Sequence, residues 1–121
     1  MRILLADTQA KVRFALRALL EQQPGLIVVG EAVEAKQVLA QVEAAQPDLV
    51  LLDWNLRGLA AADLLPALRR ICPDLRVIAL SARPEMRPAA LAAGADAFAS
   101  KADSPERLLE AIRAAILVRH G

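Results

Sequence analysis

Pro47-Asp48-Leu49-Val50-Leu51-Leu52-Asp53 is the stretch that decides the fold. Four consecutive apolar residues lie between two acids. The run is far too short for a membrane span and too continuous for a strand with one wet face. It suits a strand buried on both faces of a parallel sheet, with Asp53 delivered at the carboxyl edge. Four similar runs recur outward from it. Ile3-Leu4-Leu5-Ala6 and Leu26-Ile27-Val28-Val29 precede it; Val77-Ile78-Ala79-Leu80 and the weaker Ala97-Phe98-Ala99 follow.

Helical patterns fill the gaps. Val12, Ala15, Leu16, Leu19 and Leu20 form one face between Gln9 and Gln22, closed by Pro24-Gly25. Val38, Leu39 and Val42 mark a second helix from Glu34 to Ala45. Leu64, Leu65 and Leu68 mark a third from Ala61 to Ile71. The spacing predicts a fourth over Glu85 to Ala93, ended by Gly94, and a fifth that starts at Ser104-Pro105-Glu106 and carries Leu108, Leu109, Ile112 and Ile116. Strict strand–helix alternation predicts an α/β fold: a doubly wound, five-stranded parallel sheet with helices on both faces. Residues 1–121 are expected to form a single domain.

Composition narrows the function. Of 121 residues, 56% are hydrophobic and 24% charged, enough apolar material for a core. A net charge of +1 gives no general attraction to nucleic acid or an acidic membrane. One Cys cannot form an internal disulfide, and Cys72 is expected to be inert and half-buried. His120 is expected in a solvated tail, and Arg69-Arg70 on a solvated helix face. The acid at Asp7 comes too soon for a signal peptide, so the expected setting is soluble and cytoplasmic.

Sheets of this kind bind ligands beyond the carboxyl ends of their strands. Asp7 follows the first run, Asp53 the third, Ser81 the fourth, and Lys101 the fifth after Ser100. There is no GxxxxGK[ST] or GxGxxG loop, and no histidine near for general-base work. Two carboxylates can hold a hard divalent cation, and one can attack phosphorus. A lysine and a hydroxyl can receive phosphoryl oxygens. The constellation reads as phosphoryl acceptance.

The chain resembles the receiver domain of bacterial two-component response regulators, a (βα)5 flavodoxin-like fold, over essentially its full length. Arg2-Ile3-Leu4-Leu5-Ala6-Asp7, Pro47 to Asp53, Val77-Ile78-Ala79-Leu80-Ser81-Ala82 and Phe98-Ala99-Ser100-Lys101-Ala102 carry the resemblance. It is nearest in look to the branch with a helix-turn-helix output domain. The resemblance implies that Asp53 is the phosphoacceptor. It implies Mg2+ held by Asp7, Asp53 and the backbone carbonyl of Asn55, with Lys101 pairing with the phosphoryl group. Ser81 and Phe98 would be the switch pair. Implied partners are a sensor histidine kinase or phosphotransfer protein and a homodimer, with DNA met only through an output domain outside this chain and no membrane partner.

The main departure is Thr8, which stands where the family normally has a second acid. A missing carboxylate removes on the order of a few kcal/mol of gross attraction for a divalent ion at an effective dielectric of ~20. Thr8 suits the N-cap of the first helix and is a weak substitute ligand. Lesser departures are Arg57 and Ala102, both at positions where proline is frequent. Thr8 also opens an alternative: an atypical pseudo-receiver serving as a phosphorylation-independent interaction module. A small-molecule enzyme on the same fold is disfavoured, because Asp7-Thr8-Gln9-Ala10 lacks the Ser, Thr and Gly density of a phosphate-cradling loop.

Overall fold

The five apolar runs are five parallel strands of one sheet, in the order β2-β1-β3-β4-β5, in the computed structural model, which describes residues 1–117. They are β1 (Arg2–Ala6), β2 (Ile27–Ala32), β3 (Leu49–Asp53), β4 (Arg76–Ser81) and β5 (Ala97–Ser100). The helices are α1 (Ala10–Glu21), α2 (Ala35–Ala45), α3 (Ala61–Ile71), α4 (Arg87–Ala92) and α5 (Pro105–Leu117). This is the doubly wound, flavodoxin-like topology expected from the strand–helix alternation. His120 lies outside the described residues.

The strands read as continuous apolar runs because successive side chains feed opposite, equally dry faces. Leu4, Val50, Leu52 and Val77 point toward α2 and α3, meeting Val38, Val42, Leu64 and Leu68. Ile3, Leu5, Leu49, Leu51, Ile78 and Leu80 point the other way, meeting Leu16 and Leu20 of α1 and Leu108 and Ile112 of α5. Ala79, Ala90, Ala95 and Phe98 form a smaller cluster beneath α4.

Two elements differ from their sequence patterns. β2 begins at Ile27 and runs on through Gly30 and Glu31, past the end of its apolar run. As an edge strand it needs only one covered flank, so a charged residue there is tolerated when paired. The expected fourth helix is split into a 3-10 turn over Pro84–Met86 and the short α4. Pro88 has no N–H to donate back toward Pro84, so the α-helical ladder cannot run through the segment. Gly94 has a φ of +110°, the left-handed geometry expected just past a helix end. At α5, Ser104 caps as expected, its Oγ accepting the Arg107 N–H at 3.3 Å.

Register brings the chemistry to one edge. Ala6 pairs with Leu52, Asp53 with Leu80, and Ser81 with Ser100. The chain leaves β1 toward β2 on one side and has β3 on the other. The crevice where the winding reverses therefore opens at the ends of β1 and β3.

Candidate functional site

Asp7 sits one residue past β1 and is fully buried; Asp53 ends β3 and is 3% exposed. A carboxylate is rarely buried so deeply without partners. Asp7 Oδ1 accepts the Gln9 N–H at 2.8 Å, and its Oδ2 lies 2.7 Å from Lys101 Nζ. Asp53 Oδ1 accepts the Asn55 N–H at 3.0 Å. Its Oδ2 accepts the Thr8 hydroxyl at 3.1 Å and lies 3.4 Å from Lys101 Nζ. Lys101 is placed by its main chain, whose N–H donates to the Ser81 carbonyl at 2.8 Å.

The distances decide which carboxylate is freer. At 2.7 Å the ammonium forms a close ion pair with Asp7, although Asp7 Oδ2 has no hydrogen-bond partner among the described residues, whereas at 3.4 Å from Asp53 its attraction is weaker. Lys101 thus sits closer to Asp7 than to Asp53, whose Oδ2 has the Thr8 hydroxyl as its hydrogen-bond donor. Two buried carboxylates share one ammonium, so the cluster retains an excess negative charge suited to a cation.

The structure brings together Asp7, Thr8, Asp53, Asn55 and Lys101. It places Ser81 and Phe98 differently. Ser81 is fully buried at the end of β4, and its Oγ accepts the Arg83 N–H at 3.0 Å. Its oxygen is engaged as an acceptor by the β4–α4 turn. Phe98 is 8% exposed and already packed inward on Ala79, Ala90 and Ala95.

Thr8 corrects an expectation. The residue preceding α1 is Gln9, and no side chain caps that helix. Thr8 instead donates its hydroxyl to Asp53, a buried carboxylate that needs donors. Two further residues were missed. Gln9 Oε1 accepts from Lys101 Nζ at 3.3 Å. Arg13 Nη1 donates to the Asp7 carbonyl at 2.7 Å. Arg69, expected on a solvated face, pairs with Asp96 at 2.8 Å. Cys72 is more buried than expected, at 8% exposure.

Among the described residues no three His, Cys, Asp or Glu side chains converge as a metal-binding group. The side-chain donors brought together are hard oxygens: the two carboxylates and the Thr8 hydroxyl. That set fits magnesium in kind, with one carboxylate fewer than a three-acid site.

The response regulator receiver domain family matches residues 3–113. The nitrate/nitrite response regulator protein NarP of Escherichia coli K12 is 36% identical over 115 residues, covering 93% of this chain and 54% of that protein. NarL of the same strain is 35% identical, with 93% and 53% covered. The chain therefore spans about half the length of these curated relatives. Among solved structures, a LuxR-family two-component response regulator from Aurantimonas sp. SI85-9A1 aligns with a TM-score of 0.87 at 29% identity, covering 98% of this chain and 86% of that one. The signal receiver domain of the putative response regulator NarL from Mycobacterium tuberculosis aligns with a TM-score of 0.86 at 28% identity, covering 97% of each chain.

Proposed function

This chain belongs to the response regulator receiver domain family, a signalling rather than a classical enzyme family, and we propose that it accepts a phosphoryl group on Asp53. The donor would be a phosphohistidine of a sensor histidine kinase or phosphotransfer protein. One observation carries this reading: a carboxylate 3% exposed at the end of β3, with its Oδ2 facing Lys101 at 3.4 Å and the Thr8 hydroxyl at 3.1 Å.

In the proposed transfer, an Asp53 oxygen attacks phosphorus and the P–N bond to the donor imidazole breaks. The leaving imidazole nitrogen takes the bonding pair, and an acyl phosphate remains on Asp53. Lys101 would swing from Asp7 toward the new phosphoryl oxygens. Ser81, whose oxygen accepts the Arg83 N–H, would donate its O–H to the phosphoryl group, and Phe98 would answer by repacking beneath α4. Receiver domains generally bind magnesium at the phosphorylation site. Here Asp7, Asp53 and the Asn55 carbonyl would hold it, with Thr8 as a neutral oxygen, and bound magnesium would offset charge on the phosphoryl oxygens. The face around α4, β5 and α5 would then change its affinity for a partner or for a second copy of the chain. DNA would be reached only through a further domain of a longer protein, and these residues would act as one unit in the cytoplasm. No helix among the described residues is long and apolar enough to cross a membrane.

Thr8 supports a second reading, a phosphorylation-independent interaction module, because it removes an acid beside Asp53. Incubation with a small phosphodonor such as acetyl phosphate in magnesium separates the two. The expected result is one acid-stable, base-labile phosphoryl group per chain, lost in Asp53→Ala. The only tryptophan, Trp54, adjoins the site and should change its fluorescence with magnesium and again with beryllofluoride. No labelling and a flat fluorescence response would overturn phosphoryl acceptance in favour of the module.

A further inference from the structure

Arg13 lies in the first turns of α1, outside the acid cluster, yet it reaches the loop that carries the cluster. Its Nη1 donates to the Asp7 carbonyl at 2.7 Å, and its Nε pairs with Glu31 of β2 at 2.9 Å. Glu31 is gripped on its other oxygen by Arg17 at 2.9 Å, and Arg17 also pairs with Glu21 at 2.9 Å. From the other side, the Asp7 N–H donates to the Ala32 carbonyl at 3.0 Å. Both main-chain polar groups of Asp7 are therefore fixed, one by β2 and one by α1.

That fixation has a chemical consequence. The peptide group between Asp7 and Thr8 sets the direction of both side chains. Asp7 Oδ2 is aimed at Lys101, and the Thr8 hydroxyl at Asp53. An acid at position 8 would be drawn into place by a bound cation. The neutral Thr8 has no such pull, so its loop must be shaped beforehand by the protein. The planar guanidinium suits this, since it offers two donors in fixed directions where a lysine offers one point contact. Arg13, Arg17, Glu21 and Glu31 cancel in charge, so the clamp supplies geometry without repelling a cation.

We propose that Arg13 is a positioning residue for phosphoryl acceptance, clamping the Asp7–Thr8 peptide so that Asp7 and Thr8 stand ready for a divalent cation and for Asp53. This rests on the phosphoacceptor reading above. The test compares Arg13→Met with Arg17→Met. Each removes an ion pair to Glu31, but only the first releases the Asp7 carbonyl. Magnesium half-saturation is read from Trp54 fluorescence and from phosphoryl labelling. Amide hydrogen exchange at Asp7 and Gln9 is read without magnesium. Arg13→Met is expected to raise half-saturation about tenfold, as loss of a ligand-orienting partner commonly does, and to speed both amides by a similar factor. Arg17→Met should leave both readings within about twofold. Should Arg13→Met fail to fold, Arg13→Lys, which keeps the charge opposite Glu31, is expected to shift both readings the same way by less. Equal shifts in the Arg13 and Arg17 variants, or none in the Arg13 variants, overturn the clamp. If the unmodified chain takes neither magnesium nor a phosphoryl group, the phosphoacceptor reading falls by itself. Exchange at Asp7 and Gln9 then decides the clamp alone, by the same comparison.

Discussion

Two buried carboxylate sites stand at opposite edges of the same sheet, and they are satisfied in opposite ways. At the amino edge, Asp96 is 5% exposed on its side chain and takes Arg69 Nη2 at 2.8 Å and the Val77 N–H at 2.7 Å. Arg69 also donates to the Gly94 carbonyl at 2.6 Å, which ties α3 to the turn before β5. At the carboxyl edge, Asp7 and Asp53 divide one ammonium between them, at 2.7 and 3.4 Å. At the amino edge the anion meets a guanidinium and a main-chain donor at bonding distance. The carboxyl edge leaves an anion over. Burial of a carboxylate therefore does not by itself mark function; burial without full compensation does, because folding tolerates it only where other contacts carry the cost.

The sharpest way to break this contrast is to neutralise one acid at each edge. Asp53→Asn is expected to abolish phosphoryl uptake, with labelling at background. Its stability in urea should hold or rise by about 1 kcal/mol, because a like charge beside Asp7 is removed. Asp96→Asn should keep its labelling yet lose about 2 kcal/mol in the same unfolding measurement, since a charge-assisted bond to Arg69 is weakened within a buried network. If Asp53→Asn proved as destabilising as Asp96→Asn, the two edges would be alike and the contrast would fail.

Thr8→Asp sharpens the same comparison by adding charge at the unbalanced edge. Magnesium half-saturation, followed by Trp54 fluorescence, should drop about tenfold, which corresponds to ~1.4 kcal/mol. Without a divalent cation the variant should lose about 0.5–1 kcal/mol, because three carboxylates would then share Lys101. Thermal unfolding with and without magnesium checks the sign. An unchanged midpoint in cation-free buffer would show that the carboxyl edge is not limited by its charge.

How much of this could be read before the structure depends on the range of each interaction. Asp7, Asp53, Ser81 and Lys101 were legible because each follows a continuous apolar run, and a run buried on both faces announces where its strand ends. The first, second, third and fifth helices were legible from their apolar stripes. Arg13 and Arg69 were not. A pattern of faces shows which way a charged residue can point, but not whether a carbonyl or carboxylate from another element waits there. The same limit explains Thr8, which the sequence places at a helix start and the fold places 3.1 Å from a carboxylate 45 positions away. The end of β2 was hidden for a related reason. The apolar run stops at Val29, and only the pairing of Glu31 with Arg13 and Arg17 of α1 shows how a charged residue is held in the strand beyond it. The split before α4 is the exception, since Pro84 and Pro88 stand in the sequence itself and only the helix over Glu85 to Ala93 was read from it.

The smallest expected effect asks whether the two edges act independently. Cys72 closes α3 beside Arg69, and its thiol faces the Pro47 carbonyl at 3.8 Å. Burial pushes its pKa up, and the nearby charges of Asp74 and Asp48 push the same way. Little thiolate is then present at neutral pH, so a thiol reagent must wait for the end of α3 to open, and its rate should climb with pH. Arg69→Met loosens that last turn and should speed labelling about threefold, a shift of under ~1 kcal/mol in local opening. Asp53→Asn and Thr8→Asp alter only the far edge and should leave the rate unchanged. A matching acceleration in either would mean that charge at the carboxyl edge is felt through the sheet at the amino edge. The balanced site would then be part of the switch rather than the fixed end against which the switch moves.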